Sequence, residues 1–215
     1  MPSSLQQFAL RTITNARNVK ETTTLESLWS DRPCALFFLR RLGCPICRAY
    51  IQMVERFREE YEKRGVRLVC LSFEAFGEGS DFDKSFTKYS FWNGPIYTID
   101  KVVYEELFGR KGLLDNFFGL LDIDKEAYER SKSVSGNMRG DGFQLGGQFV
   151  VAKGGTILLE HRQKLFGDDA KLTDIFDILE RQLQPIQKKT SESKEDTPPE
   201  RIDESKGKVI IFESR

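Results

Sequence analysis

An apolar run that leads into a Cys-Pro-Ile-Cys motif is the feature that most constrains the fold of this chain. Residues 34–39 read Cys-Ala-Leu-Phe-Phe-Leu, a pattern typical of a β-strand buried on both faces. Apolar residues then recur at helical spacing between Gly43 and Gly65. These residues are Tyr50, Val54, Phe57 and Tyr61. Residues 66–71, Val-Arg-Leu-Val-Cys-Leu, predict the next strand, so the segment is a βαβ unit with parallel strands.

Further predicted elements surround this unit. In chain order they are one or two strands and a short helix within residues 8–29, a helix at residues 82–89, a strand at residues 96–98, helices within residues 103–134, a hairpin at residues 147–161 and a helix at residues 171–183. Gly154 and Gly155 join the hairpin strands, and Asp168 and Asp169 cap the last helix. We therefore predict an α/β thioredoxin-like sandwich, with a mixed central sheet flanked by helices and a helical insertion.

A change of composition near the carboxyl end predicts the domain organisation. Twelve of the 21 residues at positions 188–208 are charged, which is typical of a disordered segment. We assign residues 1–185 to one thioredoxin-like domain and residues 186–215 to a charged, disordered tail. The apolar residues 209–212, Val-Ile-Ile-Phe, form a docking peptide, an edge strand or an end without a role, and the sequence leaves these three alternatives open.

Composition limits the classes of function. The formal net charge of +0 gives no sign of a nucleic-acid or membrane partner attracted by bulk charge. The single histidine, His161, excludes a metal site built from several histidines. No apolar stretch approaches the roughly 20 residues of a membrane span, and the amino end shows no targeting segment. We expect a cytoplasmic protein whose close cysteine pair is catalytic or metal-binding.

The dithiol of Cys44 and Cys47 is the candidate catalytic site. A free cysteine has a pKa of about 8.5, so it needs help to ionise at neutral pH. Cys44 falls between a strand and a helix, where free N–H groups stabilise a thiolate, and Pro45 suits the first helical turn. Cationic side chains flank it at Arg40, Arg41 and Arg48. We expect an exposed Cys44 to attack a peroxide or disulfide, and Cys47, one turn later, to resolve the product.

Two other interpretations of the motif stay open. A Cys-x-x-Cys pair is also half of a zinc site, although a second half needs ligands at similar spacing. The pair could also be purely structural. Cys34 and Cys70 lie singly in apolar strands, where cysteine usually acts as a small buried hydrophobe. The context of strand followed by helix favours redox chemistry over both alternatives.

Two blocks of the chain resemble the peroxiredoxin-like 2 family. They are residues 38–48, Phe-Leu-Arg-Arg-Leu-Gly-Cys-Pro-Ile-Cys-Arg, and residues 136–147, Gly-Asn-Met-Arg-Gly-Asp-Gly-Phe-Gln-Leu-Gly-Gly. Gly-Pro-Ile-Tyr at residues 94–97 lies between them, and the similarity extends over residues 25–183. The resemblance implies a thioredoxin-like fold and a redox-active dithiol in which Cys44 attacks and Cys47 resolves.

The same resemblance implies the kinds of substrate and reductant. One branch of the family reduces the endoperoxide of prostaglandin H2, and another consists of antioxidant, redox-regulatory proteins. The substrate is then a peroxide, a lipid endoperoxide or a protein disulfide. No cofactor is bound, and NADPH or a thioredoxin-type protein supplies the electrons. The alternative function is a non-enzymatic, redox-regulatory interaction protein.

The chain also departs from related folds. Arg41 stands where peroxiredoxins proper carry a threonine, and Gly146-Gly147 stands near the position of the thioredoxin cis-proline. These glycines either admit a substrate backbone or form a plain turn. Asp141 either assists a proton transfer or serves the turn. Paired apolar residues at positions 113–121 either line a lipid pocket or pack as an added helix.

Overall fold

The computed structural model describes residues 3–74, 91–112, 123–183, 201–203 and 208–210. The chain divides into two compact units, Met1–Asp169 and Ala170–Arg215. The strands are β1 (Thr12–Asn15), β2 (Thr22–Thr24), β3 (Cys34–Phe38), β4 (Arg67–Ser72), β5 (Ile96–Thr98), β6 (Gly147–Val151), β7 (Ile157–Arg162), β8 (Arg201–Asp203) and β9 (Lys208–Ile210). The α-helices are α1 (Pro45–Arg56), α2 (Arg58–Lys63), α3 (Lys101–Phe108), α4 (Lys125–Ser131) and α5 (Leu172–Leu183). Short 3-10 helices cover Leu5–Phe8 and Leu25–Trp29.

The first unit is built on a mixed sheet. Its described strands follow the order β2-β1-β5-β4-β3-β6-β7. The strand pairs β3–β4 and β4–β5 are parallel, as the βαβ pattern predicted. β6 runs antiparallel to both β3 and β7, so the predicted hairpin is also confirmed. Because β3 is an inner strand, the residues that follow it lie at the ends of the central strands and not beside an outer strand.

Helices cover both faces of this sheet. Phe38 packs against Tyr104 and Phe108 of α3, with ring centroids 5.5 and 5.2 Å apart. The next residue back, Phe37, points to the other face and lies 6.1 Å from Tyr50 of α1. Successive side chains of a strand point to opposite faces, so the buried run around β3 supports both layers. The fold is the predicted thioredoxin-like α/β sandwich.

The predicted helix after Gly43 is interrupted. It divides into α1 and α2 at Phe57, whose backbone leaves helical geometry at φ −100° and ψ 13°. Phe57 is buried, so the break keeps its ring in the core while the chain turns towards β4. The hairpin turn uses Gly154 and Gly155 at φ 84° and 104°, a region that favours glycine.

The second unit contains α5, close to the predicted helix at residues 171–183, and the antiparallel pair β8–β9. Val209 and Ile210 thus lie in a strand. Most of the predicted tail and the boundary at residues 185/186 lie outside the described residues, so these stay predictions. The predicted helix at residues 82–89 and the apolar pairs at residues 113–121 also lie outside them. Where the chain is described, none of its helices has the length and apolar character required to cross a bilayer.

Candidate active site

Cys44 lies where the sequence places it, at the junction between β3 and the first long helix. It occupies the N-cap of α1, with extended backbone angles, and Pro45 is the first helical residue. The N–H groups of the first turn point towards this end of the helix, which favours a negative charge there. Cys47 lies one turn later, and its thiol donates a hydrogen bond to the sulfur of Cys44. Both cysteines are free thiols.

The surroundings of the dithiol separate the acidity of its two sulfurs. The hydrogen bond from Cys47 and the charge of Arg40 hold the pKa of Cys44 well below its usual range, although burial opposes this effect. The same hydrogen bond, together with burial, raises the pKa of Cys47. These effects favour the thiolate on Cys44 and the neutral thiol on Cys47.

Arg40 is the cation in direct contact with the thiolate. Its Nη2 donates to Cys44 Sγ over 3.1 Å. Its Nη1 donates to the carbonyl oxygen of Gly142 over 3.2 Å, and its guanidinium lies 4.1 Å from the ring centroid of Phe166. These contacts hold a buried positive charge beside the sulfur, where little water screens their attraction.

The other two arginines have different surroundings. Arg48 binds the backbone, with Nε 2.7 Å from the oxygen of Leu42 and Nη1 2.8 Å from that of Ser135. It therefore joins the loop before α1 to the loop after α4. Arg41 is 4% exposed, its charge lowers the pKa of Cys44, and its buried Nε has no hydrogen-bond partner among the described residues.

The prediction that Cys44 is exposed is wrong. Cys44 is 2% exposed and Cys47 is 6% exposed. Residues 123–142, named here the covering segment, fold back onto the start of α1. Ala127 shares one apolar cluster, the dithiol cluster, with Cys44, Ile46 and Cys47, and the partly buried Ile123 packs against it. The segment follows the dithiol by about 80 residues in the chain, so the local pattern that identified the helix start could not show it.

The glycine-rich block of the sequence forms the end of this covering segment. The N–H of Asn137 donates to the oxygen of Gly43 over 2.8 Å. A Cβ on Gly136 would lie 2.6 Å from Pro45 Cδ and 2.9 Å from the oxygen of Gly43. The block is thus fitted to the backbone of the Cys-Pro-Ile-Cys turn, and Gly136 is required by that close contact.

Two further candidates prove to have structural partners. Asp141 is ion-paired with Arg110 at 2.6 Å and with Lys101 at 2.9 Å. Burial opposes its ionisation, but these cations and the N–H of Phe143 lower its pKa, which favours the turn interpretation over proton transfer. A Cβ on Gly146 would lie 3.2 Å from Arg40 N. The space beside this glycine is thus occupied by the chain's own backbone, which favours a plain turn.

Sequence reasoning missed two partly buried carboxyl groups, those of Glu74 and Asp169. Glu74 Oε2 accepts the N–H of Leu42 over 2.8 Å, and burial raises the pKa of this group. Asp169, predicted as a helix cap, instead accepts hydrogen bonds from Gln148 and Gln163. A carboxyl or amide side chain after a strand is a weak signal of a functional site, because loops commonly carry such residues.

Cys34 and Cys70 are fully buried in β3 and β4, and burial raises the pKa of each thiol. Within the described ranges, no group of three or more His, Cys, Asp or Glu side chains is placed to hold a metal ion.

The AhpC/TSA antioxidant enzyme family model matches residues 52–165, a range that begins after both cysteines of the motif. The prostamide/prostaglandin F synthase of Salmo salar is 31% identical over 166 residues, covering 74% of this chain and 80% of that protein. The protein of the same name from Homo sapiens is 32% identical, with 74% and 81% covered.

Solved structures share the fold at low sequence identity. Bacterioferritin comigratory protein from Xanthomonas campestris, described by its alkyl peroxide reduction activity, superposes with a TM-score of 0.51 at 12% identity, covering 86% of this chain and 99% of that one. AhpC from Enterococcus faecalis also gives a TM-score of 0.51 at 12% identity, with 80% and 86% covered.

Proposed function

Because the chain belongs to the AhpC/TSA antioxidant enzyme family and is a thiol oxidoreductase, we propose that it reduces a peroxide or endoperoxide through Cys44 and Cys47. The observation that carries this proposal is the state of Cys44. Its sulfur lies at the start of α1, 3.1 Å from Arg40 Nη2. The hydrogen bond from Cys47 is the largest effect that holds the pKa of Cys44 below its usual range. A low-pKa thiolate beside a second thiol is the arrangement that two-step peroxide reduction needs.

With a hydroperoxide, the first step oxidises Cys44. Its thiolate attacks the terminal oxygen, the O–O bond breaks, and the alkoxide leaves and takes up a proton to become an alcohol. Cys44 is then a sulfenic acid. In the second step the sulfur of Cys47 attacks that of Cys44, so that a disulfide forms and water leaves. An external dithiol, such as a thioredoxin-type protein, reduces the disulfide by thiol exchange.

An endoperoxide reacts by the same two steps, except that breaking its O–O bond in the first step releases no separate alcohol. Attack by Cys44 opens the O–O bond to a sulfenate ester and an alkoxide, which takes up a proton. Cys47 then displaces the second oxygen, which leaves as a hydroxyl group, and the disulfide forms. The similarity to prostamide/prostaglandin F synthases over about 80% of their length supports including this substrate class.

A turnover assay tests the proposal. Hydrogen peroxide, an organic hydroperoxide, prostaglandin H2 and a model disulfide are compared, with NADPH-coupled thioredoxin and dithiothreitol as alternative donors. We expect turnover with at least one peroxide class, and a Cys44–Cys47 disulfide by mass spectrometry after one equivalent of oxidant. Cys44→Ser should abolish both, whereas Cys70→Ala should retain them.

Two results would contradict the proposal. One is oxidation confined to Cys34 or Cys70. The other is formation of the Cys44–Cys47 disulfide without turnover by any donor, because that behaviour belongs to a redox sensor and not to an enzyme.

A further inference from the structure

The guanidinium of Arg40 has two neighbours besides the sulfur of Cys44. Nη2 donates to Cys44 Sγ over 3.1 Å, and Nη1 donates to the carbonyl oxygen of Gly142 over 3.2 Å. The carbon between these nitrogens lies 4.1 Å from the ring centroid of Phe166. The third nitrogen, Nε, is buried and has no hydrogen-bond partner among the residues that the structure describes. In the described part of the chain, one carbonyl oxygen and one aromatic ring therefore orient this cation towards the sulfur.

An aromatic ring suits this position because it binds a cation without neutralising it. The face of a ring attracts a guanidinium and stacks on its plane, and Arg40 is only 6% exposed, so little water competes for the contact. A carboxylate would also hold the side chain, but its negative charge would compete with the thiolate for the same cation. With a ring as the neighbour, the positive charge of Arg40 acts on Cys44 and lowers the pKa of its thiol.

Phe166 is itself fixed, although it lies in the loop that follows β7. Its side chain is partly buried and packs against the main apolar cluster of the sheet. Its carbonyl oxygen accepts the N–H of Asp124 over 3.0 Å, and it forms an isolated parallel bridge with Ile123. Both ends of the covering segment are thus connected to Arg40, the first through Phe166 and the last through Gly142.

We infer that Phe166 is a positioning residue, an inference that rests on the proposed function in taking Cys44 as the attacking thiolate. Its ring keeps the Arg40 guanidinium in the orientation in which Nη2 faces Cys44 Sγ. The sulfur that attacks the peroxide is thereby kept ionised. Because the thiolate exists only in the reduced protein, the same contact stabilises the dithiol relative to the disulfide. Phe166 exerts both effects on the sulfur through Arg40.

Phe166→Leu is the direct test, because it keeps an apolar side chain and removes the ring face. Ultraviolet thiolate absorbance, measured for each protein against its own Cys44→Ser counterpart, should show the pKa of Cys44 rising by about one pH unit. The pH at which hydrogen peroxide oxidises Cys44 at half its maximal rate should rise by the same amount. Phe166→Tyr keeps the ring face and should retain both values. Phe166→Met provides a second replacement without a ring and should match Phe166→Leu.

Two comparisons distinguish positioning of Arg40 from simple packing. Tyr128→Leu is the matched control, because it removes a ring that is 49% exposed and whose centroid lies 5.3 Å from Lys132 Nζ; the titration of Cys44 should be unchanged. In an Arg40→Met background, Phe166→Leu should cause no further shift, because the ring acts through the arginine. A shift of equal size with and without Arg40 would overturn the inference.

The reduction potential of the Cys44–Cys47 pair separates this inference from the proposed function, because its measurement needs no peroxide. The proteins are equilibrated with glutathione buffers at a pH at which Cys44 is ionised in both. The equilibrium constant for disulfide formation should be about tenfold larger in Phe166→Leu, which corresponds to a potential about 30 mV lower. An unchanged pKa and potential would overturn the role of Phe166 in a protein that still turns over peroxide. The expected shifts in a protein without turnover would instead overturn the proposed function alone.

Discussion

At the scale of single residues, Arg40 and Cys44 illustrate why a buried charge is tolerated next to a reactive sulfur. Each group loses hydration when it is buried, and only a partner at close range offsets that loss. The 3.1 Å contact between Arg40 Nη2 and Cys44 Sγ gives each group such a partner. The hydrogen bond from Cys47 stabilises the same thiolate. Removing the arginine should therefore shift the acidity of the sulfur without abolishing the fold.

The substitution Arg40→Met should raise the pKa of Cys44 by about one to two pH units, with roughly 1.4 kcal/mol for each unit. The difference in ultraviolet thiolate absorbance between each protein and its Cys44→Ser counterpart measures this shift. Arg56→Met is the control, because Arg56 is exposed at the far end of the same helix. An unchanged titration in Arg40→Met would mean that Cys47 and the helix start suffice.

Asp169 gives a second prediction at this scale, on stability. Its pKa is raised from 3.8 to about 6 by burial, so the folded state binds a proton more tightly than the unfolded state. That stabilisation is complete below pH 3.8 and is lost as the pH rises through 6. Asp169→Asn lacks this dependence. Urea unfolding should show the variant gaining stability relative to the parent between pH 4 and pH 7, by on the order of 2 kcal/mol. A stability difference between variant and parent that does not vary with pH would contradict this prediction.

At the scale of elements, the start of α1 and the covering segment differ in how far the sequence predicts them. The buried run of β3, the Cys-Pro step and the apolar spacing of α1 are local signals, and each produced the observed element. The burial of Cys44 is not local. It depends on contacts of Ala127 and Asn137 with residues far back in the chain. The partners of Asp169 are equally remote in sequence, so their assembly became visible only in the folded chain.

The fit of the covering segment to α1 can be tested at Gly136. A Cβ there meets Pro45 Cδ and the oxygen of Gly43, neither of which can rotate away. We expect Gly136→Ala to displace the segment and to raise the rate at which a bulky disulfide reagent modifies Cys44 by about tenfold. Gly142→Ala is the matched control, because a Cβ at Gly142 meets no atom within 4 Å. Equal rates in both variants would show that the segment does not limit access.

At the scale of the whole molecule, the described state is closed around its own reactive thiol, so reaction requires an opening. The sheet core is held by large aromatic rings from three strands and α3, whereas the covering segment contributes few apolar side chains to the dithiol cluster. Regions with few buried contacts open at lower free energy than the core. We therefore expect the covering segment to open without loss of the sheet.

Alkylation during urea titration measures this difference within one molecule. Cys44 should react with iodoacetamide at urea concentrations well below the unfolding midpoint, because only the covering segment has to move. Cys34 and Cys70, fully buried in β3 and β4, should react only as the circular dichroism signal is lost. Mass spectrometry of the digested protein identifies each modified cysteine. If Cys44 were modified only together with Cys34 and Cys70, its access would require global unfolding, and a substrate could not reach the closed dithiol under native conditions.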